Sequence, residues 1–258
     1  WCLFLYTLIT LIENKTNYHF DNGLIFITLP LLIFSLFLKE TSFIILFTLC
    51  TSLLVINSKK LPFSRKLQFN TKVTYFLYSG VVLSLSFLAL YFIYTSSAPD
   101  KGGYHYLLTP ADSIVSRVMF SLKALVLYAI TDPLLVFLLP ILLFLSVYQR
   151  VILNKDGFAS NMIKYTVFID ACAISALSLV AAYVVLGFHG YRYLLPAYPF
   201  GLVAIAAYLQ IYAPIIKKNF KSLYIFIPSV LLLVLLINSI FSAINLAVFY
   251  KVSSYNFM

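Results

Sequence analysis

Long apolar runs separated by short polar links extend along the whole of this chain. A hydrocarbon core of about 30 Å takes about 20 consecutive apolar residues in a helix, so each run reads as a transmembrane segment. Residues 1–12 form the tail of one span, and Glu13 to Asn22 form the polar link after it. Residues 23–57 are apolar except for Lys39-Glu40-Thr41-Ser42. As a single helix these 35 residues would extend roughly 52 Å. They therefore divide into two short spans, 23–38 and 43–57, with Lys39 and Glu40 at the turn. Further spans fall at 73–94, 133–149, 166–187, 194–214 and 223–247.

Two stretches depart from this pattern. Residues 95–112 form a loop containing Gly, Pro and Ser. In 113–129, Ser113, Ser116, Arg117 and Ser121 share one helical stripe, with apolar residues elsewhere. That spacing predicts an amphipathic helix lying at the membrane interface; the alternative, a helix that crosses the bilayer, would move every later link to the other side. Thr131-Asp132-Pro133 then reads as a helix start, with Asp132 as N-cap and Pro133 as the first helical residue. The expected fold is all-α: a single domain over 1–258, a polytopic transmembrane helix bundle of about eight spans with one interfacial helix. The chain opens on Trp1 inside an apolar run, with no signal-peptide pattern before it, which predicts further spans upstream.

Composition supports the bilayer. Only 10% of the residues are charged, against about 25% in a soluble domain. The net charge of +10 does not indicate nucleic acid, because the basic residues sit in links and form no phosphate-tracking face. Threading the spans puts the links 13–22, 58–72, 150–165 and 215–222 on one side. Those links carry 12 of the 18 Lys and Arg residues, which marks that side as cytosolic. Lys39-Glu40, the 95–132 region and the 188–193 link then fall on the opposite side. Cys2, Cys50 and Cys172 are far apart and form no CxxC pair, so neither a zinc site nor a disulfide framework is indicated.

Three polar features have chemical potential. Lys39-Glu40 reads either as a hairpin turn at the membrane surface or as a turn sunk into a protein-lined cavity. The sunken reading follows from the shortness of its flanking spans, since 16 residues reach only about 24 Å. The second feature is the link His189-Gly190-Tyr191-Arg192-Tyr193, continuing through Leu194-Leu195-Pro196 to Tyr198-Pro199. The planar guanidinium of Arg192 suits phosphate oxygens, and the tyrosines suit a sugar ring. The plain alternative is an aromatic interfacial belt with a snorkelling arginine. The third is His105 in Tyr104-His105-Tyr106, a loop histidine more often solvated than functional. Asp170 is placed near the cytosolic start of its span, without chemistry. No Walker loop, GxGxxG, HExxH or GxSxG is present, which disfavours nucleotide-driven pumps and soluble-type hydrolases.

Phe37-Leu38-Lys39-Glu40-Thr41 between two short spans resembles the "KE" turn of GT-C membrane glycosyltransferases. Arg192-Tyr193-Leu194-Leu195-Pro196, with Pro199 opening a late span, resembles their "RYLLP…P" segment. The nearest groups are the protein O-mannosyltransferase and aminoarabinose transferase relatives. The resemblance implies an inverting transfer of a sugar from a polyprenyl-phosphate donor to an acceptor glycan, lipid or protein on the non-cytosolic face. It implies the plasma membrane as location, or the endoplasmic reticulum membrane in a eukaryote. Arg192 and Lys39 would face the donor phosphate. Glu40, Tyr193, His189, Tyr191 and His105 would bind or orient substrate. The acidic catalytic motif of such enzymes sits in the first non-cytosolic loop and is expected upstream of Trp1, together with any ligands for the divalent metal that some relatives use. Competing readings are a transporter or flippase for a lipid-linked or anionic solute, and a non-catalytic membrane scaffold.

Overall fold

A computed structural model describes residues 2–13, 18–38, 41–57, 69, 71–97, 114–151, 160–187 and 193–219, with isolated helical positions between 229 and 244. The described residues are helical, joined by turns. In chain order the elements are α1 (Cys2–Glu13), α2 (Tyr18–Leu38), α3 (Ser42–Asn57), α4 (Thr71–Ser97) and α5 (Ile114–Thr131). A π-helical turn (Leu134–Leu138) leads into α6 (Leu139–Val151), followed by α7 (Ser160–Val185), a 3-10 turn (Leu195–Ala197) and α8 (Tyr198–Asn219). Among the described residues, four segments are long and apolar enough to cross a membrane: Val73–Tyr94, Ile114–Thr131, Phe168–Val185 and Leu195–Tyr212. Ser42–Val55 and Leu134–Tyr148 are shorter apolar helices. The span expected at 223–247 lies almost entirely outside the described residues.

Helices are the form such a sequence must take, because lipid offers no partner to a backbone N–H or C=O. Several hydroxyls within these apolar helices obey the same constraint by folding back on their own turn. Thr48 Oγ1 donates to the Ile44 carbonyl at 2.7 Å, Ser84 Oγ to Gly80 at 2.7 Å and Ser175 Oγ to Ala171 at 2.7 Å. Proline explains the π turn. The ring of Pro140 would clash with the carbonyl four residues back in a regular α-helix. The wider turn before it is closed by the Leu139 N–H on the Leu134 carbonyl.

The centre of the bundle is α7. It packs against α3, α5, α6, α8, the π turn and the 3-10 turn, while α3 lies between α7 and α4. Small buried residues on α7, among them Ala171, Ala173, Ser175 and Ala176, let neighbouring backbones approach, as helix association in lipid requires. By contrast α4 turns Tyr78, Val82, Leu85 and Phe92 outward. The α1–α2 pair adjoins this group through α4 and α3.

One length differs from the sequence expectation. The helix α2 begins at Tyr18 and has 21 residues, a reach of about 31 Å. The 16 residues of α3 reach about 24 Å. The geometric argument for a sunken Lys39-Glu40 turn therefore keeps only its α3 half.

The later part of the α5 polar stripe meets the protein, while Arg117 earlier on it is exposed. Ser121 Oγ donates to the Val185 carbonyl at 3.3 Å, and Ala124 and Tyr128, on the same stripe, are buried. The apolar arc is outermost: Val115, Val118, Met119, Leu122 and Val126 are all exposed.

The end of α7 meets α5 at Gly187, whose φ of 67° is left-handed. A Cβ there would stand 2.8 Å from Phe120 Cβ and 3.3 Å from its carbonyl carbon. Gly187→Ala is expected to cost about 1–2 kcal/mol from the backbone conformation alone. Crowding against the Phe120 backbone adds to that loss. Thermal unfolding of the purified variant in detergent measures the effect.

Candidate functional site

Of the residues singled out for donor or substrate contact, Lys39, Glu40, His105, His189, Tyr191 and Arg192 lie outside the described residues; Tyr193 lies within them. The residues that directly follow the two motif centres, Thr41 after Glu40 and Tyr193 after Arg192, are both in place.

They meet through α7. The Tyr183 hydroxyl donates to Thr41 Oγ1 at 2.8 Å, and the Tyr183 ring packs against the Tyr193 ring, with centroids 5.4 Å apart and planes tilted by 51°. Tyr183 is 1% exposed, so this bridge is interior. The 3-10 turn itself touches α3. Beside Thr41, Ser42 Oγ is buried and has no hydrogen-bond partner among the described residues. The bundle thus joins two segments about 150 residues apart in sequence at one end.

A second polar cluster lies at the start of α8, the helix that the Arg192 run leads into. Asp132 is 3% exposed. Its Oδ1 accepts the Tyr198 hydroxyl in a short bond, and its Oδ2 accepts Thr131 Oγ1 at 2.6 Å. Asp132 precedes Pro133, the first helical residue, and its backbone carbonyl accepts the Leu135 and Val136 N–H groups, both at 3.1 Å, as an N-cap carbonyl does. The expected side-chain cap is what differs, because the carboxyl is turned to Tyr198 and Thr131. The carboxyl is thus committed to a tertiary contact and not to a helix end.

The third cluster ties three helices together. Asp170 on α7 accepts Ser146 Oγ of α6 at 3.0 Å and the Tyr208 hydroxyl of α8 through the same Oδ1. Asp170 is 4% exposed and stands ten residues into a helix that begins at Ser160, about 15 Å along its axis. It is therefore buried in the bundle and away from the helix N-terminus, while still lying near the start of the apolar span Phe168–Val185.

Sequence reasoning gave Asp132 only a capping role and Asp170 no chemistry, yet one signal was present. Asp132 is the only Asp, Glu, Lys or Arg between Lys123 and Arg150, and Asp170 the only one between Lys164 and Arg192. An isolated charge in an apolar run costs about 2.5–3.5 kcal/mol at mid-membrane on insertion scales, so it needs a partner or a function. The partners, Tyr198 and Tyr208, could not be read from spacing. Among the described residues no three His, Cys, Asp or Glu side chains cluster to hold a metal.

The fold defines a multi-pass helical membrane protein, with its polar contacts gathered at one end of the bundle and at one interior level. Comparison of the chain with protein-family models, curated proteins and solved structures finds no match.

Proposed function

We propose that this protein is a lipid-carrier-dependent glycosyltransferase of the GT-C type, moving a sugar from a polyprenyl-phosphate donor to an acceptor at the non-cytosolic face. The observation that carries this reading is the Thr41–Tyr183–Tyr193 bridge. It joins Thr41, the residue after Glu40 in sequence, to Tyr193, the residue after Arg192. Inverting transfer needs a cation that steadies the departing lipid phosphate and a carboxylate that takes the acceptor proton. Arg192 and Lys39 suit the first task by their charge and donors. Glu40 orients Lys39 or the acceptor, and Tyr193, Tyr191, His189 and His105 are its companions on the same face. Atoms balance simply: the acceptor oxygen bonds to the anomeric carbon, the carbon–phosphate oxygen bond breaks, and the lipid leaves as its phosphate.

The membrane arrangement proposed with it has about eight spans and places α5 at the non-cytosolic surface. Support for the latter comes from where α5 makes contact. Phe120 meets Gly187, Ser121 meets Val185, and Asp132 just beyond its end meets Tyr198. All three partners lie where α7 ends or α8 begins. A helix crossing that end with its apolar arc in lipid fits these contacts.

The test is reconstitution of the protein in liposomes with a polyprenyl-phosphate sugar and an acceptor extract. Release of polyprenyl phosphate with label moving to the acceptor is expected. Movement of the lipid-linked or anionic solute across the bilayer with no transfer would replace the enzyme by a transporter.

A further inference from the structure

Two elements that turn apolar side chains outward have the same apolar length. In α2 the stretch from Gly23 to Leu38 carries no charged or amide side chain, and Asn22 and Lys39 bound it in sequence. Phe26, Ile27, Leu31 and Phe34 within it are exposed. The π turn with α6 supplies the second stretch, from Pro133 to Tyr148, bounded in sequence by Asp132 and Gln149. Phe137, Ile141 and Phe144 are exposed on it. Each stretch has 16 residues, roughly 24 Å of helix.

The helix α4 gives a different measure with the same result. Tyrosine rings gather at membrane–water interfaces. Tyr75 and Tyr78 are exposed near the start of α4 and Tyr94 near its end, with Tyr91 half-buried one turn before it. Between the two pairs Val82, Leu85 and Leu90 face outward. From the middle of one pair to the middle of the other is about 24 Å along the axis. The interior agrees: α3, packed between α7 and α4, has 16 residues. Phe168–Val185 and Leu195–Tyr212 have 18 residues each, roughly 27 Å. A tilt of about 20° brings their reach across the bilayer to about 25 Å. A helix longer than the hydrocarbon core can tilt, but a shorter one cannot stretch. The short outward-facing stretches therefore set the thickness, and they fall about 6 Å below an ordinary core of about 30 Å.

We infer that the outward-facing belt of this protein fits a bilayer whose hydrocarbon core is about 24 Å thick, so that the lipids it prefers around it carry short acyl chains. This rests on the span arrangement proposed above and not on sugar transfer. In a thicker bilayer the tyrosine pairs of α4 and the ends of α2 and α6 would be drawn into hydrocarbon, or the lipid would have to thin around the protein. The cost of either grows with each ångström of mismatch.

The experiment reconstitutes the protein in phosphatidylcholine bilayers with dimyristoleoyl, dioleoyl or dierucoyl chains, which thicken in that order. The unfolding temperature is expected to be highest with dimyristoleoyl chains, about 2–4 °C above dioleoyl, and lowest with dierucoyl chains. Lipid preference is read separately by fluorescence. Trp1 is the one tryptophan of the chain, so a variant carrying Trp1→Phe and Val82→Trp reports from the exposed face of α4 alone. Brominated dioleoyl lipid quenches that tryptophan, and dimyristoleoyl lipid is expected to displace it about twofold better than dioleoyl lipid does. Should the variant not fold, the unfolding temperatures of the unaltered protein still decide. An optimum with dioleoyl or dierucoyl chains, or no dependence on chain length, overturns the inference and leaves the glycosyltransferase reading standing. An optimum with dimyristoleoyl chains in a protein that transfers no sugar would support the inference and remove that reading.

Discussion

Arg192→Ala is expected to lower the rate of sugar transfer by about 100-fold or more, the usual cost of removing a preorganised group that meets charge developing in the transition state. The departing lipid phosphate gains negative charge as its bond to the anomeric carbon breaks. A guanidinium answers that charge with a planar pair of donors. Alanine removes both charge and donors; lysine restores the charge without the fork. Arg192→Lys is therefore expected to fall between wild type and Arg192→Ala. Initial rates of polyprenyl phosphate release, measured beside the unfolding temperature, decide the matter. Equal rates in wild type and Arg192→Ala, at equal stability, would leave the arginine with no part in transfer. Lys39→Ala, in the segment that adjoins Thr41, tests whether the second cation shares the task.

The largest expected effect on stability is at Asp170. Its carboxyl is the acceptor that Ser146 of α6 and Tyr208 of α8 both use, so one side chain on α7 binds two neighbouring helices. A buried donor deprived of its acceptor costs about 1–3 kcal/mol in soluble proteins. Interhelical hydrogen bonds inside lipid average lower, about 0.6 kcal/mol with a maximum near 1.7. Two such bonds at the upper end of that range put the loss for Asp170→Ala at about 2–3 kcal/mol. Asp170→Asn keeps an acceptor oxygen and is expected to stay within about 1 kcal/mol of wild type. Thermal or denaturant unfolding in a fixed detergent provides the comparison. Asp170→Ala with wild-type stability would show that the α6–α7–α8 contact rests on apolar packing alone.

The clusters at Asp132 and Asp170 also show where reading the chain stops. Each aspartate was given the role that local sequence suggests: a cap before Pro133 for Asp132, and a place near the start of its span for Asp170. Those assignments miss what the two carboxyls bind, for one physical reason. What occupies a buried carboxyl is decided by residues brought in from other helices. Tyr198 lies 66 positions from Asp132, and Tyr208 lies 38 from Asp170. Neither separation carries a periodicity that a window of sequence could register. The stripe of α5 shows a related limit. Ser116, Arg117 and Ser121 were visible as one face of a helix, but spacing does not say whether a polar face meets water or protein. Ser121 meets the Val185 carbonyl.

The helical, membrane-embedded character of the chain was settled by the sequence, because lipid leaves a backbone only its own hydrogen bonds to use. The break between α2 and α3 at residues 39–41 followed from the same rule and from the length of the apolar run. Which polar groups would find one another belonged to the tertiary structure. The Tyr183 bridge from Thr41 to Tyr193, the Asp132 bond to Tyr198 and the Asp170 tie across α6, α7 and α8 form among helices that pack around α7, whose buried face carries several small residues. Hydrophobicity tells a segment to enter the bilayer and is indifferent to which apolar neighbour it meets there. Close packing and a few directional bonds make that choice.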